Sequence, residues 1–266
     1  MTRTIMFLSL AATLLAASSA PAGELSAREV MEKNFYVTKV RHMINDSTMT
    51  LTNDKGQQRI RKTHSVTLLQ PNGIDSKIMI RFLEPGDVEG TGYLQVQHYD
   101  GDDDMWIYLP ALKKVRRLVA NNKRDSFVGS DFSYGDILVP VVDTYKHTVV
   151  KSEVLDGEDC WVIESVPASE QIKKDYGYGK KTGWIRKSNF MEKKVEFLDT
   201  AGRPLKTMLV PEVVEVDAAA RKWWATKREV RNHQTGHSTR LTFEHLDTKK
   251  PVGNDFFTTR YLERER

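Results

Sequence analysis

The chain has 266 residues, 40 Lys and Arg against 36 Asp and Glu, and a mean hydropathy of −0.49. A near-balanced charge with no basic patch interleaved with aromatics argues against a nucleic-acid partner. Cys160, the one cysteine, rules out an intramolecular disulfide, so the fold must stand on its core.

Arg3 followed by the apolar run Ile5 to Ala17, and then Ala20-Pro21-Ala22, has the three parts of a cleaved secretory signal. The expected cut lies between Ala22 and Gly23. It leaves a mature chain, 23–266, that is expected to form a single β domain in the periplasm. No cysteine stands at the cut, so lipidation of the new N-terminus is not expected.

Ser26-Ala27-Arg28-Glu29 fits a capping box. The apolar spacing of Val30, Phe35, Val37, Val40 and Met43 predicts a helix to about His42. From Asp46 the pattern is β. Segments rich in Val, Ile, Thr and aromatics begin with Ser47–Thr52, Gln57–Gln70, Ser76–Leu83, Tyr93–Tyr99, Met105–Leu109 and Val115–Val119. They resume with His147–Leu155, Cys160–Val166, Gly183–Lys187, Lys193–Leu198, Pro204–Val210, Val213–Asp217, Trp223–Asn232 and His237–Leu246. The short connections favour an antiparallel meander.

One stretch breaks this rhythm. Ala120 to Tyr145 carries Gly and Asp punctuation and several aromatics, and a connection of that length is either a binding lid or a packed plug.

No phosphate-cradling loop, nucleophile elbow or zinc-type cysteine spacing is present. His233 and His237 fall in a hairpin and lack a third ligand. Asp100-Gly101-Asp102-Asp103-Asp104 lacks the spacing of a calcium loop and is expected to be a solvated turn. No catalytic residue, metal site or cofactor is assigned, and an enzyme is not expected. Strands at Ile78–Leu83, Trp106–Leu109 and Cys160–Ile163 are apolar on both faces, so they are covered twice or face a ligand. By contrast, Gln57–His64 and Arg228–Arg231 alternate as if one face were solvated. Pattern alone leaves an ordinary core and a ligand cavity both open.

The run Trp106-Ile107-Tyr108-Leu109-Pro110-Ala111-Leu112-Lys113-Lys114-Val115-Arg116-Arg117 and the segment Phe127–Tyr134 resemble the outer membrane lipoprotein-sorting protein family, which has a LolA-like domain. Thr235-Gly236-His237 and Phe256 to Arg264 fit the same family. The resemblance implies a mainly β fold: a strongly curved antiparallel sheet, an unclosed half-barrel, with the N-terminal helix and the central segment covering an apolar concave face. It implies a periplasmic carrier that shields acyl chains of a lipid or lipoprotein, moving between an inner-membrane transporter and an outer-membrane acceptor. The alternative is a sensor or adaptor that binds a membrane transporter or regulator through the same half-barrel. Within that frame Phe127, Phe132, Ile137 and Leu138 are expected lid contacts, and Trp106, Tyr108 and Trp161 are expected to form the cavity wall. Arg116 and Arg117 are expected either to meet an anionic head group, to pair with Asp131, or to sit on a solvated strand edge.

Overall fold

In a computed structural model the described residues are 24–119 and 123–264. The expected signal peptide and its cut lie outside them. Helix α1 (Ala27–Val37) starts at the predicted capping box: Ser26 accepts from the Glu29 N–H, and the Glu29 carboxylate accepts from Ser26. It ends five residues before the predicted end. Val40 and Met43 are buried, but in extended chain entering the first strand, so their spacing was not helical.

Thirteen strands follow: β1 (His42–Thr52), β2 (Gln58–Leu69), β3 (Ser76–Glu84), β4 (Gly92–Val96), β5 (Asp104–Leu109) and β6 (Lys114–Leu118), then β7 (Tyr145–Leu155), β8 (Glu158–Pro167), β9 (Tyr178–Arg186), β10 (Glu192–Asp199), β11 (Pro204–Asp217), β12 (Lys222–Asn232) and β13 (Ser238–Asp247). The two segments predicted between Pro204 and Asp217 are one strand. Its register shifts near Leu209–Val213 mark a bulge that the sequence presented as a break. Helix α2 (Glu170–Tyr176) was not anticipated, although Ser169 as N-cap and Gly177 in the left-handed C-terminal position are its signals. A third short helix, α3, covers Thr259–Leu262.

All strands join one antiparallel sheet in the order β6-β5-β4-β3-β2-β1-β13-β12-β11-β10-β9-β8-β7. Edges β6 and β7 do not pair, so the half-barrel stays open. Two meanders therefore run outward from the central β1–β13 seam. The connection from β6 to β7 has to travel from one edge of the sheet to the other. That is the stretch flagged in the sequence, and it lies across the concave face.

Strands apolar on both sides are covered on both sides. On the concave face Ile80, Phe82, Tyr93, Met105 and Ile107 pack with Phe127, Phe132 and Tyr134 of the crossing segment. On the convex face Val66, Met79, Leu94 and Tyr108 pack beneath Val252, Phe257 and Leu262 of the C-terminal segment. At the other end Trp161, Ile163 and Ile185 meet Ala27 and Val30 of α1, while Cys160, Val162 and Trp184 face outward into a small cluster of their own.

Candidate functional site: a lidded cleft in the half-barrel

The crossing segment does not fill the concavity. Between it and the centre of the sheet lies an open cleft with a cavity volume of about 120 Å³. Its roof is Phe127, Phe132, Ile137, Leu138 and Val139. A second lobe of about 70 Å³ continues past Val139 beneath Pro140–Val142 and α1, over β7–β10.

The roof is latched by charge. Tyr134–Asp136 is a single 3-10 turn in which the Asp136 carboxylate accepts from the Ser133 N–H at 2.8 Å. Lys206 donates to the same carboxylate at 2.6 Å and to the Asp131 carbonyl at 2.9 Å, and the Tyr178 hydroxyl donates to Asp136 at 2.9 Å. Burial pushes the Asp136 carboxyl upward, but the Lys206 ammonium and the hydrogen bonds outweigh it and hold it below the usual carboxylate range. Thr239 bridges to Asp131 at 2.7 Å, and the Arg61 guanidinium donates to the Val128 carbonyl. Val128 itself is held at φ +48°, left-handed backbone that a β-branched residue adopts only under constraint.

The floor differs from the apolar concavity expected. Where β1 and β2 cross the centre, the inward positions are Asn45, Ser47, Thr63, Ser65 and Thr67, all buried. Ser47 and Thr63 share a hydrogen bond of 2.7 Å, and the Ser65 hydroxyl donates to Asn45 at 2.8 Å. The Thr67 hydroxyl, the Trp224 indole N–H and the Arg228 Nε are buried with no hydrogen-bond partner among the described residues. Apolar lining comes from Met49, Ile78, Ile80, Leu241 and Phe243.

Two lysines line the cleft under desolvation. Burial brings Lys39 down to about 8, partly offset by Asp75 and Asp103, and its ammonium donates to Ser76 at 3.2 Å and Gln97 at 3.0 Å. Lys181, in the second lobe, is also brought to about 8 by burial and lies 4.1 Å from the Tyr145 ring centre. Burial pushes the Glu192 carboxyl, in the same lobe, upward.

The structure thus brings Phe127, Phe132, Ile137 and Leu138 together over the cleft. Phe127 and Phe132 are also core: Phe127 contacts Phe82, Tyr93 and Tyr134 at centroid distances of 5.2–6.0 Å. Trp106 and Tyr108 are placed otherwise. They project from the convex side of β5 under the C-terminal segment, and it is their neighbours Met105 and Ile107 that face inward. The period of two sets which pair is inside, and both pairs being apolar hid the choice. Trp161 faces the concave side but stacks on Phe190 under α1, outside the cleft lining. Arg117 pairs with Asp104, and Asp131 turns to Thr239; neither makes the pairing considered from sequence. The acidic turn is not wholly solvated: Asp103 is buried against Lys123 at 3.2 Å. His233 bonds to Thr207 at 2.8 Å in the β12–β13 hairpin.

This architecture has known counterparts. A family model described as an uncharacterized protein matches residues 74–264. A crystal structure from Vibrio parahaemolyticus, described as an outer membrane lipoprotein-sorting protein domain, is similar at 30% identity and TM-score 0.82, over 90% of this chain and 98% of that one. A DUF1329 family protein from Desulfovibrio piger is similar at 26% identity and TM-score 0.82, over 89% of this chain and 97% of that one. A LolA superfamily protein of Nitrosomonas europaea shares the fold at 17% identity and TM-score 0.70, over 90% of this chain and all of the other. No curated protein matches the sequence. The chain belongs to the outer membrane lipoprotein-sorting protein family.

Proposed function

We propose that the protein is a periplasmic carrier that hides the acyl chains of a lipid or lipoprotein in the cleft between its sheet and its crossing segment, and that it binds without catalysing a reaction. The observation that carries this is a volume left open between a roof of Phe127, Phe132, Ile137, Leu138 and Val139 and the sheet. A solvent-exposed acyl chain gains about 0.8 kcal/mol per methylene on burial, so ten methylenes supply about 8 kcal/mol, enough for a soluble complex. The roof can open as a gate because a few polar latches at Asp131, Asp136 and Val128 hold it, and both its ends arise at the edge strands β6 and β7.

Native mass spectrometry with lipid extraction, on protein purified from periplasm without detergent, tests this. Wild type should carry an acylated species, and Leu138→Asp, at a half-buried roof position, should lose it while remaining folded. Protein that is empty and also refuses added phospholipid and lipopeptide would defeat the carrier and leave the sensor or adaptor, binding a protein partner through the same surface.

A further inference from the structure

Amphiphile carriers can leave the polar end of the ligand in water or bring it inside. The polar groups on this cleft decide between the two. Arg228 on β12 lines the main lobe, forms no ion pair among the described residues, and has a buried Nε without an acceptor. The Trp224 indole N–H, on the same strand and the same lobe, is likewise buried and unaccepted. Both are donors with no accepting capacity, and leaving each unmet costs roughly 1–3 kcal/mol. A core has no use for two such donors beside a void.

The charge balance has the same sign. Lys39, Lys181 and Arg228 line the two lobes and form no ion pair among the described residues. Of the two carboxylates there, Asp136 is already neutralised by Lys206. Glu192 is the other; burial pushes its carboxyl upward while Arg228 and Lys181 pull it down. The cleft is therefore lined by more cations than carboxylates, and two unmet donors are buried in its wall.

We propose that the ligand is an anionic amphiphile whose oxyanion, a carboxylate or a phosphate, is held inside the cleft at Arg228 and Trp224 while its chain runs beneath the Ile137–Val139 roof. This rests on the carrier reading and adds the class of head group and its position. A planar guanidinium suits a two-oxygen anion, and the Trp224 N–H can supply a further donor.

The test is equilibrium dialysis of oleate, oleoyl lysophosphatidic acid and the neutral oleyl alcohol, each below its micellar concentration, with wild type, Arg228→Gln and Trp224→Phe. Wild type should bind at least one of the two anions about tenfold or more above the alcohol, the scale of one hydrogen bond to a charged group. Arg228→Gln should erase that preference and leave alcohol binding unchanged, and Trp224→Phe should weaken it by a smaller factor. Whichever anion is preferred identifies the source of the head group. Equal binding of anions and alcohol by wild type, or a preference that survives in Arg228→Gln, overturns the head-group site while the carrier stands. Failure of wild type to take up any of the three overturns both. Melting curves of the variants separate loss of the site from loss of the fold.

Discussion

The two faces of strands β3–β5 are both apolar and both covered, yet they are finished differently. On the convex side the chain's own C-terminal segment seats Val252, Phe257 and Leu262 against Met79, Leu94 and Tyr108, and Leu262 is fully buried. On the concave side the covering segment packs tightly at Phe127 and Tyr134, then lifts away over the centre of the sheet and leaves a void with polar groups on its floor. One cover is optimised for packing. The other is held by a few polar latches and carries desolvated lysines and unmet donors, features that cost stability.

That contrast can be broken in several ways. The largest expected effect is on the concave latch: Lys206→Met strands the buried Asp136 carboxylate and should cost about 3–5 kcal/mol by denaturant unfolding, with the crossing segment becoming protease-sensitive. Next, Leu262→Ala should cost about 3 kcal/mol by the same assay but leave ligand uptake by the folded protein untouched. If Leu262→Ala abolished uptake, the convex cover would belong to the site.

Smaller, and opposite in sign, is Lys39→Met. Lys39 has a folded pKa near 8 against an ordinary 10.5, so between those values the unfolded chain holds more protons and stability rises with pH. Its burial is a penalty at neutral pH, and Lys39→Met should raise stability there by about 2 kcal/mol. It should also reduce the slope between pH 8 and 10.5, the part due to Lys181 remaining. Unfolding curves at pH 7 and pH 10 check both. The least effect separates two tyrosines. Tyr178→Phe loses a bond to ionised Asp136 and should cost about 1.5 kcal/mol, whereas Tyr108→Phe on the convex side should stay within about 0.5 kcal/mol.

Much of the fold was legible because turn residues and β-rich segments alternate at short intervals, and the long Ala120–Tyr145 stretch stood out against them. The capping box at Ser26 was visible because it is local. Less legible was which side of a strand faces the cleft. Trp106 and Tyr108 looked like a cavity wall, but neighbouring residues on β5 are equally apolar, and nothing local distinguishes the face met by the C-terminal segment from the face met by the roof. The polar floor was missed for the converse reason. Arg61 and Thr63 lie in a stretch of β2 that reads as solvated on one face, and being polar they gave no sign that theirs is the inward face. The unmet Nε of Arg228 could not have been found from sequence, since its character depends on which elements pack around β12.

The central seam has a consequence for assembly. Strand β1 pairs with β13 from Ile44 opposite Asp247 to Thr52 opposite Ser238, the first strand with the last. Neither meander reaches the other until the final strand exists, so the longest loop in the chain must close to make the middle of the sheet, a slow step compared with the adjacent hairpins. A chain lacking β13 would keep two separate meanders with newly exposed inner edges at β1 and β12, each open to pairing with another molecule. The half-barrel therefore becomes whole only when its last strand is in place, and premature ends of the chain should be met as aggregates rather than as a weakened fold.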